Sequence, residues 1–566
     1  MKISRRESLK MLAATAGAMA LPKALGDSTA SAQTAPPATA PAVERPLPPA
    51  PFHIEPPAGF GVADGPFKPT WESLSAYQAP DWYRDAKLGI WAHWGPQCQP
   101  EMGDWYAQKM YQADARDNTV YKFHVREYGH PSKFGFKDVI NEWQAENWEP
   151  EKLIALYKRA GAKFFAAMAN HHDNTDMWDS TYQPWNTVAI GPKKDIVGGW
   201  EKAARAAGLK FALTCHGDRA WSWYQDAQKS DTTGPLKGVP YDGQMTKEDG
   251  KGLWWEGLDP QDLYAQYHRL GRYNWPQSGE PPLDKQYCEK YFNRIIDLIN
   301  KHNPDLLYFD DTVLPIYPAS DVGLRIAAYL YNTNYAKNGK VECLMTGKGL
   351  NSIQRKSILL DVERGVTNGG ETLPWQTDTC IGSWHYERRV FDQHKYKTSL
   401  QVVQMLVDIV SKNGNLMLNI PLRGDGTPDR DEIKVLQGLA SWIAPNGEGI
   451  YSTRPFTVYG EGPSTVTQAR GQFGGARDVR PYTSEDIRFT SKGEIVYAFL
   501  MVWPENGKAT IKSLAQGSAN FPKEIARVEL LGGDQLTFNR DATGLVVNLP
   551  EKKVGDYAYA LKITPA

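Results

Sequence analysis

The feature that most constrains this chain is a recurring unit: a helical pattern stops, a short apolar run follows, and the run ends on side chains capable of chemistry. It is clearest at residues 302–311, His-Asn-Pro-Asp-Leu-Leu-Tyr-Phe-Asp-Asp. Tyr291, Phe292, Ile295, Leu298 and Ile299 fall at helical spacing, Pro304 stops the helix, and the apolar run that follows ends in Asp310 and Asp311. The unit recurs where Leu153, Leu156, Tyr157 and Ala160 are followed by Gly161 and a strand at 164–169 that ends in Asn170-His171-His172-Asp173. Asp195 caps a third helical run carrying Ile196, Val197, Trp200 and Ala204, and a strand at 209–215 then leads to His216. A short buried strand at 88–92 ends in His93 in the same way. In a parallel α/β barrel the C-terminal strand ends form the active-site floor, so these histidines and acids are placed for chemistry.

The pattern continues with a helix at 326–331 and a strand at 341–345. Val403, Leu406, Val407 and Val410 make a further helix face that ends at Asn413-Gly414, before a strand at 416–420 and a closing helix at 433–443. Residues 221–282, rich in Gly, Pro and aromatic residues including Trp254, Trp255, Tyr264, Tyr267, Tyr273 and Trp275, are too long for a barrel connection and are expected to build its rim. After Pro455 the apolar period changes to two. Strands at 495–503, 526–531, 545–549 and 557–563, separated by Gly, Asp and Asn turns, predict an antiparallel sandwich. The expected fold is thus α/β: a (β/α)8-type barrel over 73–452 followed by a β-sandwich over 453–566.

The chain opens differently. Ser4-Arg5-Arg6-Glu7-Ser8-Leu9-Lys10, a weak apolar run to Leu21 and Ala30-Ser31-Ala32 read as a twin-arginine export signal over 1–32. Residues 33–72 read as a linker, with nine prolines between Gln33 and Pro57. No stretch reaches the roughly 20 apolar residues of a membrane span. A formal charge of −1 without a basic block gives no footprint for nucleic acid or anionic lipid. The five cysteines lack metal-ligand spacing, and no disulfide framework is expected.

Residues 82–95 (Trp-Tyr-Arg-Asp-Ala-Lys-Leu-Gly-Ile-Trp-Ala-His-Trp-Gly) and Asp104-Trp105-Tyr106 place Trp91, Trp94 and Trp105 beside polar groups. A sugar ring needs this combination, since its C–H face stacks on indole and its hydroxyls require donors and acceptors. Together with Gly161-Ala162-Lys163-Phe164, His171-His172-Asp173, residues 304–310, residues 374–380, residues 410–420 and Asn446-Gly447-Glu448-Gly449-Ile450-Tyr451, these motifs resemble the α-L-fucosidases of glycoside hydrolase family 29 from about Trp82 to Pro455. The resemblance implies a retaining exo-glycosidase with a (β/α) barrel and a C-terminal β-sandwich, a fucosylated glycan as substrate, and no cofactor or metal.

By that resemblance Asp310 matches the family nucleophile, and His93, Asp104, Trp105, His171 and His172 match residues that hold the fucose hydroxyls; His216 stands at a strand end near the same site. Strand alternation puts Tyr308 and Asp310 on one face and Asp311 on the other, so a single acid is expected to face the pocket. A retaining mechanism needs a second carboxyl. Glu363, at the end of the apolar run from Ile358, is preferred over Glu371 in the Gly-rich loop that follows. Three positions depart from the family: Asp311 replaces a Gly and is expected to raise the pKa of Asp310, Asn174-Thr175 replaces Gly-Phe, and Asp104 replaces a Glu. Two other classes remain: a metal-dependent hydrolase using His93, His171, His172 and Asp310, and a catalytically silent glycan-binding barrel. The export reading is tested by replacing Arg5 and Arg6 with lysine, which should strand the precursor in the cytoplasm; unchanged export would replace it with a general secretory signal.

Overall fold

Eight short strands, β1 (Leu88–Ala92), β2 (Phe164–Met168), β3 (Lys210–Cys215), β4 (Leu306–Phe309), β5 (Leu344–Lys348), β6 (Leu359–Glu363), β7 (Trp375–Cys380) and β8 (Gly414–Asn419), close in chain order into a parallel barrel. Closure is made where β8 pairs with β1, Gly89 opposite Met417 and Trp91 opposite Asn419. The computed structural model describes residues 64–265, 285–318, 320–465 and 481–566. The export signal and most of the linker lie outside the described residues, as do Tyr267, Tyr273 and Trp275.

Strands covered on both faces read as unbroken apolar runs, and β1, β2 and β4 are buried at every position. The covering helices include Pro150–Arg159, Ile196–Ala206, Lys285–His302, Val322–Asn338, Ser399–Ser411 and Arg430–Asn446. Asp195 caps the second of these by accepting from the Gly198 N–H at 2.7 Å. Gly339, with φ of 70°, ends the fourth in the left-handed region. Between β5 and β6 only the single turn Gln354–Ser357 remains, and residues 364–374 between β6 and β7 form a loop without a helix.

Several sequence expectations shift. The fifth strand begins at Leu344 rather than Val341, where the Leu344 N–H reaches the Asp305 carbonyl at 3.0 Å; this moves its end from Met345 to Lys348. β7 was hidden because its inward face carries Gln376 and Asp378, so no apolar period marks it. The linker does not run to 72. The Phe67 backbone exchanges two hydrogen bonds with the Asn332 side chain at 3.0 and 2.8 Å, its ring packs on Tyr331, and the helix Trp71–Leu74 follows. The five cysteines are buried free thiols.

The described part of the 221–282 insertion makes a second apolar core, in which Trp223, Tyr224, Tyr241, Trp255 and Tyr264 pack with Tyr106, Tyr111, Phe136 and Trp185. Its buried polar centre is Asp242, which accepts from Tyr111 at 2.7 Å, Tyr264 at 2.5 Å and Lys137 at 3.1 Å. This core backs the barrel mouth, with the Trp223 ring 5.6 Å from that of His172.

The C-terminal region is a six-stranded antiparallel sheet, including Arg454–Glu461, Ile487–Lys492, Ile495–Leu500 and Tyr559–Pro565, and a three-stranded sheet of Lys508–Ile511, Phe538–Asp541 and Gly544–Asn548. Residues of both sheets share one apolar cluster, as a sandwich requires. The sandwich is tied to the barrel by a buried ion triad, since Asp408 accepts from Arg488 at 2.6 Å and from Lys412 at 2.8 Å. Trp442 adds a bond to the Ala558 carbonyl at 2.7 Å.

Candidate active site

The C-terminal strand ends open on one cavity of about 820 Å³. Eight residues singled out from the sequence line it: His93, Asp104, Trp105, His171, His172, His216, Asp310 and Glu363. Trp91 and Tyr308 form apolar surface within it, their rings 5.3 Å apart. Trp94 does not take part. It is buried against Trp143 and Trp148, with its indole N–H on the Arg423 carbonyl at 2.7 Å.

At the centre stands Lys348, which the sequence reading missed because its strand was ended too early. Its ammonium donates to Asp310 Oδ1 at 2.7 Å and Glu363 Oε2 at 2.8 Å, and lies 3.7 Å from Asp378 and 4.0 Å from Asp361. Burial penalises the Lys348 charge, but Asp310, Asp378 and Glu363 outweigh that and hold its pKa well above the ordinary lysine value. Two carboxyl oxygens on one ammonium can be no farther apart than the two bonds laid end to end, within the about 5–5.5 Å typical of a retaining glycosidase pair.

The two acids respond oppositely. Burial pushes Asp310 up, yet Lys348, the bond from His216 and the charge of Arg219 override it and hold Asp310 well below the usual carboxylate range. Glu363 is raised, by burial and by the charges of Asp378 and Asp310, against the downward pull of Lys348. One carboxyl is thus ionised beside another that keeps its proton to higher pH. Beneath them Asp361 is pushed well up by burial and by Asp378, so it holds a proton toward Asp378. Tyr308 donates to Asp378 at 2.8 Å and Gln376 to Asp361 at 2.8 Å, which fixes that layer.

Asp311 corrects one expectation. β4 ends at Phe309, so alternation does not govern residue 311, and both acids line the cavity. Asp311 is bound to Arg219 at 3.1 Å, and its charge falls on Asp218, whose carboxyl is driven well up by burial and then by Asp311. The net direction for Asp310 is down, because Lys348, His216 and Arg219 together outweigh burial. Glu371 is outside the cavity lining and pairs with Arg355 at 2.9 Å. Asn174, at φ of 63°, is turned away to the Leu263 carbonyl at 3.0 Å and Arg294 at 2.6 Å, bracing the loop after β2.

The other wall is imidazole. Gln97 Nε2, oriented by Asp173 at 2.9 Å, donates to His171 Nδ1 at 2.9 Å, which leaves the His171 proton on Nε2. His172 Nδ1 donates to the His216 carbonyl at 2.7 Å, leaving Nε2 as an acceptor. His216 Nδ1 lies 3.4 Å from Asp310 Oδ2, and His172 Nε2 lies 3.8 Å from the same oxygen. Burial, reinforced by neighbouring rings, drives His93 and His171 well below the usual imidazole value and His172 down to about 3 despite the pull of Asp310. His93, His171 and His172 are therefore held toward the neutral form, in which they offer fixed donors and acceptors.

Two triplets, His93–His171–His385 and His171–His172–His216, bring ring nitrogens within 4.8 Å of one another. The donor set suits hydroxyls better than a cation, because the Gln97 bond to Nδ1 leaves the His171 proton on Nε2 and Lys348 already occupies Asp310. His385 and Trp384, from the loop after β7, also line the cavity. The sequence marked neither, since no apolar strand was recognised before them. Asp104 accepts from the His385 backbone N–H at 2.8 Å, and Trp105, with φ of 67°, stands 40% exposed at the mouth.

A barrel whose C-terminal rim sets paired carboxyls opposite neutral imidazoles and indoles defines a glycoside hydrolase. The sequence matches the family described as Alpha-L-fucosidase over residues 59–448, and its last strands match the Alpha-L-fucosidase C-terminal domain over residues 480–564. The chain belongs to the alpha-L-fucosidase family. Plasma alpha-L-fucosidase of Homo sapiens is 27% identical over 524 residues, covering 88% of this chain and 92% of that protein. Tissue alpha-L-fucosidase of Rattus norvegicus is 24% identical over 520 residues, covering 89% and 94%. Among solved structures, a Thermotoga maritima alpha-fucosidase has a TM-score of 0.63 at 24% identity, covering 88% of this chain and 100% of its own. A family 29 alpha-L-fucosidase of Bacteroides thetaiotaomicron has a TM-score of 0.56 at 15% identity, covering 90% and 98%.

The shared ammonium makes a pH prediction. Lys348→Met removes the charge that holds both carboxyls down, so the acidic limb of kcat/KM for an aryl α-L-fucoside should move upward by about 1–3 pH units and the basic limb should rise with it. Lys348→Arg should restore the limbs; an acidic limb that stays in place in Lys348→Met contradicts this electrostatic role.

Proposed function

We propose that the protein is an exo-acting retaining α-L-fucosidase that removes terminal α-L-fucosyl residues from glycans by double displacement, with Asp310 as nucleophile and Glu363 as acid/base. The observation that carries this reading is two carboxyls held by one ammonium in surroundings that push Asp310 down and Glu363 up. Ionised Asp310 attacks the anomeric carbon while Glu363 gives its proton to the leaving oxygen, forming a glycosyl ester on Asp310. Esterification removes the Asp310 charge, one of the influences that raise Glu363, while Lys348 continues to pull Glu363 down. Glu363 is then biased toward its ionised form, as a base must be to take a proton from the attacking water. Water, giving its proton to Glu363, attacks the anomeric carbon on the face the leaving group vacated, opposite Asp310, and breaks the ester bond, which regenerates Asp310 with net retention.

Fucose combines hydroxyls with a methyl group, and the cavity pairs neutral imidazoles with the faces of Trp91, Tyr308 and Trp384. His93, His171, His172 and His216, with Asp104 and Trp105, are the residues we assign to sugar binding. A relative solved with fucose and one described as a trapped covalent intermediate with 2-fluoro-fucosyl fluoride support the same substrate and route. The first 32 residues direct the enzyme to the twin-arginine pathway in this reading, so glycans outside the cytoplasm are its substrates.

A 2-deoxy-2-fluoro fucosyl inactivator should label Asp310 in peptide mapping. Glu363→Ala should slow fucosides with poor leaving groups by about 10²- to 10⁴-fold, affect activated aryl leaving groups less at the glycosylation step, and regain turnover with azide. A label on Asp311, or azide rescue in Glu371→Ala instead, would reassign the chemistry.

A further inference from the structure

We infer that His385, fixed by Asp104, is a further substrate-binding residue that reads one sugar hydroxyl remote from the reacting carbon. The inference rests on the fucosidase reading and assigns this site a specificity determinant that the sequence motifs did not contain.

His385 is buried, its Nε2 has no hydrogen-bond partner, and its Nδ1 faces only the Asp104 carboxylate, at 3.5 Å. Its ring stands 4.6 Å from that of His93 and 4.7 Å from that of His171, and it lines the cavity. Buried polar atoms left unpaired are costly, and here a ligand hydroxyl supplies what the protein does not. The ring's position is imposed by its surroundings. Met102 bridges Glu387, the Gly103 N–H reaches the Tyr386 carbonyl at 3.0 Å, and the Arg388 N–H reaches the Glu101 carbonyl at 3.0 Å. These bonds zip the loop after β1 to the loop after β7 and carry Asp104 to His385.

The Asp104 carboxylate then selects the tautomer. Asp104 Oδ1 accepts from the His385 backbone N–H at 2.8 Å and lies 3.5 Å from ring Nδ1. A carboxylate beside Nδ1 favours the proton there, which leaves Nε2 as an acceptor for a hydroxyl proton. His172 and His216 approach Asp310, whereas His385 packs on His93 and His171. A sugar with its anomeric carbon at Asp310 therefore presents carbon 3 or 4 to His385.

The test compares the parent aryl α-L-fucoside with its 2-, 3- and 4-deoxy analogues. Wild type should prefer the parent over the 3- or the 4-deoxy analogue by about 10²-fold or more in kcat/KM, as sites built to bond a hydroxyl reject its absence. In His385→Phe, which keeps an aromatic ring but has no acceptor, that preference should collapse for the same analogue while discrimination against the 2-deoxy compound persists. A structural role would slow all four substrates alike, so His385→Phe with the wild-type pattern of ratios overturns the inference. If His385→Phe does not fold, His385→Leu, which likewise has no acceptor, carries the test: discrimination at that hydroxyl should fall, whereas wild-type ratios overturn the inference. Failure of wild type to cleave the parent compound would instead remove the fucosidase reading itself.

Discussion

The contact on which the site depends is that of Lys348 with Asp310 and Glu363, at 2.7 and 2.8 Å. A buried ammonium is tolerated only when charge and hydrogen bonds compensate its lost hydration. Around Lys348 of β5 that compensation comes from Asp310 just past the end of β4, from Asp361 and Glu363 of β6, and from Asp378 of β7. Because one cation serves both acids, their separation and their ionisation have the same cause. Asp310 is held well below the usual carboxylate range, Glu363 is raised above it, and Asp361 is pushed well up by burial and by Asp378, so that its own charge is the one suppressed in the layer.

The opposite wall solves a different problem. Burial and neighbouring rings push His93, His171 and His172 toward the neutral form, which suits them to recognise neutral hydroxyls by directed bonds rather than by field. Backbone and amide groups fix the ring protons, as with Gln97 on His171 and the His216 carbonyl on His172. The aromatic core behind Trp223 and the ion triad at Asp408 hold the mouth and the sandwich against the barrel, so the strand ends sit on a rigid frame.

The strand-end histidines and Asp310 were legible because fully buried strands write themselves as apolar runs and any polar residue at the end stands out. Lys348 and His385 were not legible for two physical reasons. Extended residues before Leu344 look like strand, which moved the apparent end of β5 three residues early. β7 carries an inward polar face satisfied by other barrel residues, so it has no hydrophobic period and the loop after it was not recognised as part of the rim. The pairing of Asp311 with Arg219 was equally invisible, since it joins loops that sequence alone does not bring together.

The account turns on two carboxyls close enough for a covalent route, and the configuration of the first product reports that route directly. Proton NMR of an aryl α-L-fucoside during its first turnovers should show α-L-fucose before mutarotation sets in. β-L-Fucose as the first product would mean that water, not Asp310, attacks the anomeric carbon, and would contradict the account.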